Sequence, residues 1–120
     1  MRDARIYLDD ILSSVSRIRT YIGDMTFSEF EQDQKTQDAV IRNLEIIGEA
    51  VGKLPEHIFR SNPQVEWQKI KALRNILVHE YFGIHFGIVW DVIQNKLEQL
   101  EASCTNILED PGSEADPSQQ

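Results

Sequence analysis

An arginine, a histidine and a tyrosine stand five and then two residues apart in the run Arg74-Asn75-Ile76-Leu77-Val78-His79-Glu80-Tyr81, at the end of an apolar helical stretch. Phosphodiester chemistry without a metal needs parts of this kind. A guanidinium pairs with phosphate in bidentate fashion and stays charged. An imidazole titrates near neutrality, so it can take up and return a proton. Five residues along a helix rise about 7.5 Å and turn about 140°. Arg74 and His79 are therefore neighbours at a distance, and both reach one phosphate if the helix end faces a cleft. Arg74 and Tyr81, seven apart, return to nearly the same face if the helix continues that far. Asn75 adds a neutral hydrogen bond.

The elements that must carry this run all have helical patterning. Residues 3–22 place Leu8, Ile11, Leu12, Val15, Ile18 and Ile22 at spacings of three and four, one apolar stripe that Gly23-Asp24 ends. Thr26 and Glu29 fit a capping box for a short turn containing Phe27 and Phe30. Over residues 34–53, Val40, Leu44, Ile47, Val51 and then Leu54 recur at four, three, four and three, which is a bundle seam. Ile41 and Ile46 fall off that seam and either widen the core face or belong to a subunit contact. Gly52 and Pro55 stop the helix. Residues 55–61 form a helical turn, and Asn62-Pro63 supplies a cap and a first-turn proline for the next helix. That helix turns Trp67, Ile70, Leu73 and Leu77 to the core and leads into the motif. Residues 82–87 are a loop with apolar anchors. Residues 88–108 form one last helix carrying Val89, Ile93, Leu97, Leu100, Cys104 and Ile107. With no strand alternation and no repeat, the expected fold is an all-α antiparallel helical bundle of four to five helices over residues 1–108. Residues 109–120, rich in Pro, Gly, Ser, Gln and acid, are an expected disordered tail.

A chain of 120 residues with 41% apolar content supports one domain and one core. No apolar run reaches transmembrane length, and the N-terminus is charged rather than signal-like. The lone Cys104 excludes an internal disulfide and suits a reducing cytoplasm. Its helical spacing from Leu97, Leu100 and Ile107 makes it a packed core thiol rather than a nucleophile. The net charge of −8 is unusual for a nucleic-acid binder, which normally carries a basic face. The charge is uneven, however. Residues 53–74 hold five basic side chains against two acidic ones, whereas residues 109–120 hold four acids and no base. Lys71, inside the basic stretch, joins Asn75 as a candidate RNA ligand. The acidic remainder keeps the protein soluble or meets a basic partner.

No metal or cofactor is expected. His79-Glu80 does not continue to a zinc signature, and there is no Cys/His cluster. His57 and His85 read as surface residues. Glu45 and Glu49, four apart, are either ordinary solvated acids or the border of a cleft. Arg42-Asn43 are candidates for buried polar contacts between helices. Trp67 and Trp90 read as core, with base stacking as the other reading for Trp90. Phe82 is a loop anchor, and Glu80 should face solvent.

The Arg-x4-His-x-Tyr spacing, together with two earlier blocks, resembles the HepT-like ribonuclease toxins of the HEPN superfamily. The first block is Arg2-Asp3 with Tyr7-Leu8-Asp9-Asp10-Ile11-Leu12. The second runs from Asp38-Ala39-Val40-Ile41-Arg42-Asn43 through Leu44-Glu45-Ile46-Ile47-Gly48-Glu49-Ala50 to Leu54-Pro55. The third continues from Trp67 through the motif to Val89-Trp90. The likeness spans roughly residues 2–108. Lys71-Ala72 departs from it, because a glycine is expected there, and this bears on local packing. The resemblance implies a homodimer in which two motifs meet across a twofold axis. It implies metal-independent RNA cleavage, with Arg74 and His79 catalytic and with 2′,3′-cyclic phosphate and 5′-hydroxyl products. It also implies a partner, an MNT-type nucleotidyltransferase antitoxin that adenylylates Tyr81, which would bring bulk and negative charge into the cleft.

Two other readings stand beside this one. In the first, the bundle is a non-catalytic module that binds the nucleotidyltransferase, with Arg74 and His79 as phosphate ligands only. In the second, it is a plain helical interaction protein. The acidic charge favours the binding readings, and the intact Arg-His-Tyr triplet favours the enzyme.

Overall fold

A computed structural model of the chain describes residues 3–79 and 85–109. The expectations for Glu80, Tyr81, Phe82 and residues 110–120 lie outside the described residues. Those described form seven helices and no strand. They are α1 (Ala4–Ile22), α2 (Phe27–Glu31), α3 (Gln34–Gly52), α4 (Glu56–Ser61), α5 (Trp67–His79), α6 (Phe86–Asn95) and α7 (Leu97–Glu109).

Local chemistry sets most of the boundaries. The Asp3 carboxylate accepts from the Arg5 amide at 2.9 Å and starts α1. Gly23, at φ +51°, ends it, and its N–H donates to the Arg19 carbonyl at 2.8 Å. The Thr26 hydroxyl accepts from the Glu29 amide while the Glu29 carboxylate accepts from the Thr26 amide, a complete capping box that starts α2. Asp33 caps α3 through the Thr36 amide, and that hydrogen bond holds its carboxyl below the usual range. The Gln37 side-chain amide donates to the Phe30 and Glu31 carbonyls, both at 2.9 Å, and ties the start of α3 to the end of α2.

The core lies between α1 and α3. Leu8, Ile11, Val15 and Ile18 of α1 are wholly buried against an α3 face that includes Val40, Ile47 and Val51. Removing a side chain from such a position costs about 2–5 kcal/mol, so this seam dominates stability. Ile41 is buried as well, so it widens the core face; Ile46 is only half-buried. Helix α5 packs on α3, and α7 on α1. A ring cluster joins α2 to α6. The Phe30 ring centroid lies 5.9 Å from that of Phe86 and 5.4 Å from that of Trp90, and Phe27 meets Trp90 edge-on at 5.9 Å. Trp67, 4% exposed, is core, as expected.

The structure corrects five expectations. The last helix is two: α6 starts at Phe86, inside the expected loop, and the chain bends at Lys96 before α7. The reason is that α6 lies against α2 while α7 lies against α1, so the axis must change direction between them. Asn62-Pro63 closes α4 instead of opening α5. The Asn62 side-chain amide donates to the Ile58 carbonyl at 2.9 Å, and the Asn62 backbone carbonyl accepts from the Trp67 indole at 2.9 Å. His57 is buried, at 8% exposure, because α4 is short and turns His57 and Ile58 inward together. Arg42 is exposed and pairs with Glu45 at 3.7 Å within α3. Asn43 is buried, but its amide donates to the Ala39 carbonyl of its own helix. Neither of these last two makes the expected polar bridge between helices.

Cys104 is a wholly buried thiol, and desolvation pushes its pKa up to about 12. The native protein should therefore resist a thiol-specific reagent at mildly alkaline pH and react fully once unfolded. Rapid labelling of the native state would contradict its place in the core.

Candidate active site

The motif helix approaches α3 more closely than side chains normally permit. Gly48, inside α3 and buried, faces the turn of α5 from Ile70 to Arg74. A Cβ built at position 48 would overlap the Cβ of Arg74. It would also lie 3.0 Å from the Arg74 Cγ and 3.3 Å from the Ile70 carbonyl oxygen. The Arg74 stem therefore lies directly on the α3 backbone, and the residue is half-buried. Its guanidinium leaves that contact sideways: Nη1 donates to the Asn75 Oδ1 at 3.2 Å.

At 100° per residue, α5 divides into three strips. Trp67, Ile70, Arg74 and Leu77 form the strip that faces the bundle; Leu77 is 1% exposed. Lys71, Asn75 and His79 follow one another at successive turns on a neighbouring strip. Asn75 and His79 are exposed there and Lys71 is half-buried. Asn75 thus touches the arginine and stands one turn from the histidine. A phosphate over this strip would meet a guanidinium, an amide and an imidazole, with the Lys71 ammonium one turn away. This is a set able to hold an anion and move a proton beside it.

The third strip is apolar. Leu73 and Ile76 line a groove of about 320 Å³ with Val65, Ile88 and Val92. Ile76 is 46% exposed and Ile88 56%, so apolar surface is left uncovered beside the polar strip. Ile76 precedes His79 by one turn, so the groove and the polar strip run side by side along α5.

The start of α5 is held by charge. The Glu66 carboxylate accepts from Lys69 at 2.6 Å and from Lys96 at 2.9 Å. Lys96 is the residue at the bend between α6 and α7, so one carboxylate fixes the start of the motif helix to that bend. Hydrogen bonds from Lys69 and then Lys96 hold the Glu66 pKa at about 2, against an ordinary 4.5. Glu66 in turn pushes the Lys96 ammonium up.

Among the residues singled out from the sequence, the structure brings Arg74 and Asn75 into contact and sets Lys71 and His79 on the same side of α5. Tyr81 lies outside the described residues. The Lys71-Ala72 departure is accommodated without a break in α5, because the close approach is made from the other side, by Gly48. Glu45 is paired with Arg42, and Glu49 lines a separate cleft with Tyr7, Asp10 and Lys53 that no α5 residue enters. Among the described residues neither acid joins a group of three that could hold a metal. Gly48 and Glu66 are the two residues that sequence reasoning passed over. The available signal for Gly48 was a glycine inside an otherwise unbroken helical pattern, which needs a packing reason. For Glu66 the i,i+3 spacing from Lys69 was legible, but its partner Lys96 is thirty residues away and was not.

Comparison with known proteins gives a consistent result. The family model described as "Ribonuclease HepT-like" matches residues 11–107. A Methanocaldococcus jannaschii protein named "Putative RNase" is 46% identical over 109 residues, which cover 91% of this chain and 90% of that protein. A Thermococcus cleftensis protein named "Probable ribonuclease HepT" is 35% identical over 100 residues, covering 83% and 91%. The "mRNA nuclease HepT" of Shewanella oneidensis is 32% identical over 111 residues, covering 72% and 82%. No solved structure matches the chain.

Glu66 gives this site a pH signature. A carboxyl held below its ordinary value contributes stability that is present above about 4.5 and lost as pH falls toward about 2. Glu66→Gln should melt below the parent at neutral pH, and the gap should close across that acid window. The cluster is exposed, so high salt should also narrow the gap. A gap independent of pH, followed by circular dichroism, would mean that charge pairing is not what the substitution removes.

Proposed function

Because the chain belongs to the HepT-like ribonuclease family, we propose that it is the ribonuclease toxin of a toxin–antitoxin pair and cuts RNA without a metal ion. The observation that carries this is Arg74, seated on α3 and hydrogen-bonded to Asn75, which itself stands one turn from an exposed His79. His79 accepts the proton of a ribose 2′-hydroxyl, or donates one to the departing 5′-oxygen. The 2′-oxygen attacks phosphorus and the 5′-oxygen leaves, giving a 2′,3′-cyclic phosphate and a 5′-hydroxyl. Arg74 meets the charge that builds on the phosphorane. Asn75 and Lys71 hold the backbone of the RNA. DNA, with no 2′-hydroxyl, resists. The name of the Shewanella relative favours messenger RNA as the substrate, with transfer RNA the other class that suits the chemistry. The net charge of −8 makes binding modest and salt-sensitive.

The same reading includes a homodimer, a partner and a compartment. A second copy covering Ile76 and Ile88 would bury exposed apolar surface and bring two His79 side chains toward one cleft. One imidazole would then accept the proton while the other donates one. A nucleotidyltransferase antitoxin would silence the enzyme by adenylylating Tyr81, because the added phosphate repels the substrate's own. A single, buried cysteine suits the cytoplasm, and no helix among the described residues is long and apolar enough to cross a membrane. The charge of −8 favours one competing account, a non-catalytic module that docks the nucleotidyltransferase.

Cellular RNA incubated in EDTA with the parent, Arg74→Ala or His79→Ala separates these accounts. Defined fragments ending in cyclic phosphate are expected from the parent, with a loss of about 10²–10⁴-fold for His79→Ala. If all three proteins are inert while Tyr81 carries no modification, the docking module becomes the better account. For the dimer, Ile88→Asp should leave helicity intact, convert a sedimenting dimer to monomer and abolish cleavage. A parent protein that is fully active as a monomer would remove the dimer from the mechanism.

A further inference from the structure

We infer that Gly48 is a positioning residue for Arg74: the bare α3 backbone at this point is the shelf across which the arginine's stem is laid. The inference rests on reading Arg74 as the cation that meets the scissile phosphate. A Cβ at position 48 would overlap the Arg74 Cβ and press on its Cγ, while the Ile70 carbonyl one turn earlier stands 3.3 Å away. The whole turn leans on α3, so no rotamer change of the arginine alone can make room. Position 48 cannot carry a side chain unless the two helices part or Arg74 lifts.

The contact matters because arginine is long and flexible. An unheld arginine loses its rotamer freedom at the moment it grips a phosphate. Here folding has already fixed the stem at Gly48, and the Asn75 side chain meets the guanidinium at the other end. Charge held in place before the substrate arrives acts on the transition state without reorganisation. Gly52, in the last turn of the same helix, is the contrast. A Cβ there meets nothing within 4 Å, so its lack of a side chain places nothing.

The test compares the parent, Gly48→Ala, Gly52→Ala and Arg74→Ala, with RNA oligonucleotide cleavage, thermal melting and NMR of the arginine Nε–H groups. Gly52→Ala should melt no lower than the parent and cleave at its rate. Gly48→Ala, assayed well below its melting point, should lose about tenfold to a hundredfold in kcat with KM little changed. Its Arg74 Nε–H should become as mobile as that of the exposed Arg17. A Gly48→Ala protein that is folded and cleaves with the parent's kcat, while Arg74→Ala is dead, overturns the inference and leaves the ribonuclease reading intact. An Arg74→Ala protein as active as the parent overturns the role of Arg74 and this inference with it. If Gly48→Ala does not fold, two further measurements decide. Arg74→Gly in the same chain should restore folding by removing the overlapping stem. In the parent, the Arg74 Nε–H should be ordered without RNA. Failure of either overturns the inference.

Discussion

The close contact between α3 and α5 at Gly48 is the constraint from which the rest of the site follows. Helices usually pack 8–10 Å apart, at a distance set by the side chains between them. With no side chain on one helix at the crossing, the other comes in until its own Cβ and Cγ atoms touch backbone. That leaves an arginine on the strip of α5 that faces the bundle, where Ile70 and Leu77 are its neighbours. Its stem has the apolar surroundings it tolerates, and its charged end must find an exit. The exit is sideways, toward Asn75 and the polar strip. The contact therefore sets both the rotation of α5 and the direction from which the cation is presented.

Charge is used locally against an acidic background. A net charge of −8 opposes binding of a polyanion at long range. The positive charges that matter are gathered on and around one helix. Lys71 and Arg74 point to one side of it. Lys69 and Lys96 are engaged by Glu66, and their hydrogen bonds hold its carboxyl below the usual range. Those two lysines are paired at the surface, linking the start of α5 to the bend between α6 and α7, while Lys71 and Arg74 remain for a ligand. A count of basic residues along the chain cannot make that distinction, because it treats all four as equivalent.

Helix α5 also leaves apolar surface uncovered. Its buried strip is narrow, with Trp67 and Leu77 fully inside, and Ile76 stands out beside Ile88 of α6. Helix α3 is packed by α1 on one side and by α5 on another, while α6 meets α2 and α7 and leaves the side of α5 that carries Leu73 and Ile76 open. The apolar residues of α5 and α6 therefore line an open groove instead of a closed interior. That groove and the polar strip run side by side along α5, so whatever covers one will limit access to the other.

What the sequence determined by itself was local. The three-and-four spacing of Leu8, Ile11, Val15 and Ile18, and of Val40, Leu44, Ile47 and Val51, set two helices and their buried faces. Both halves of the Thr26–Glu29 capping box were legible, because capping groups lie within one turn of what they cap. The arginine, asparagine and histidine of the motif were legible as a set for the same reason: six residues of one helix decide their spacing. Tertiary structure alone decided the bend at Lys96, the turn of Asn62 back onto α4, the burial of His57 and the seat of Arg74 on Gly48. Periodicity tells which face of a helix is apolar. It does not tell which helix lies against that face, at what distance, or where an axis must swing to reach a second partner. Those answers depend on atoms far apart in the chain, and only the packed bundle brings them together.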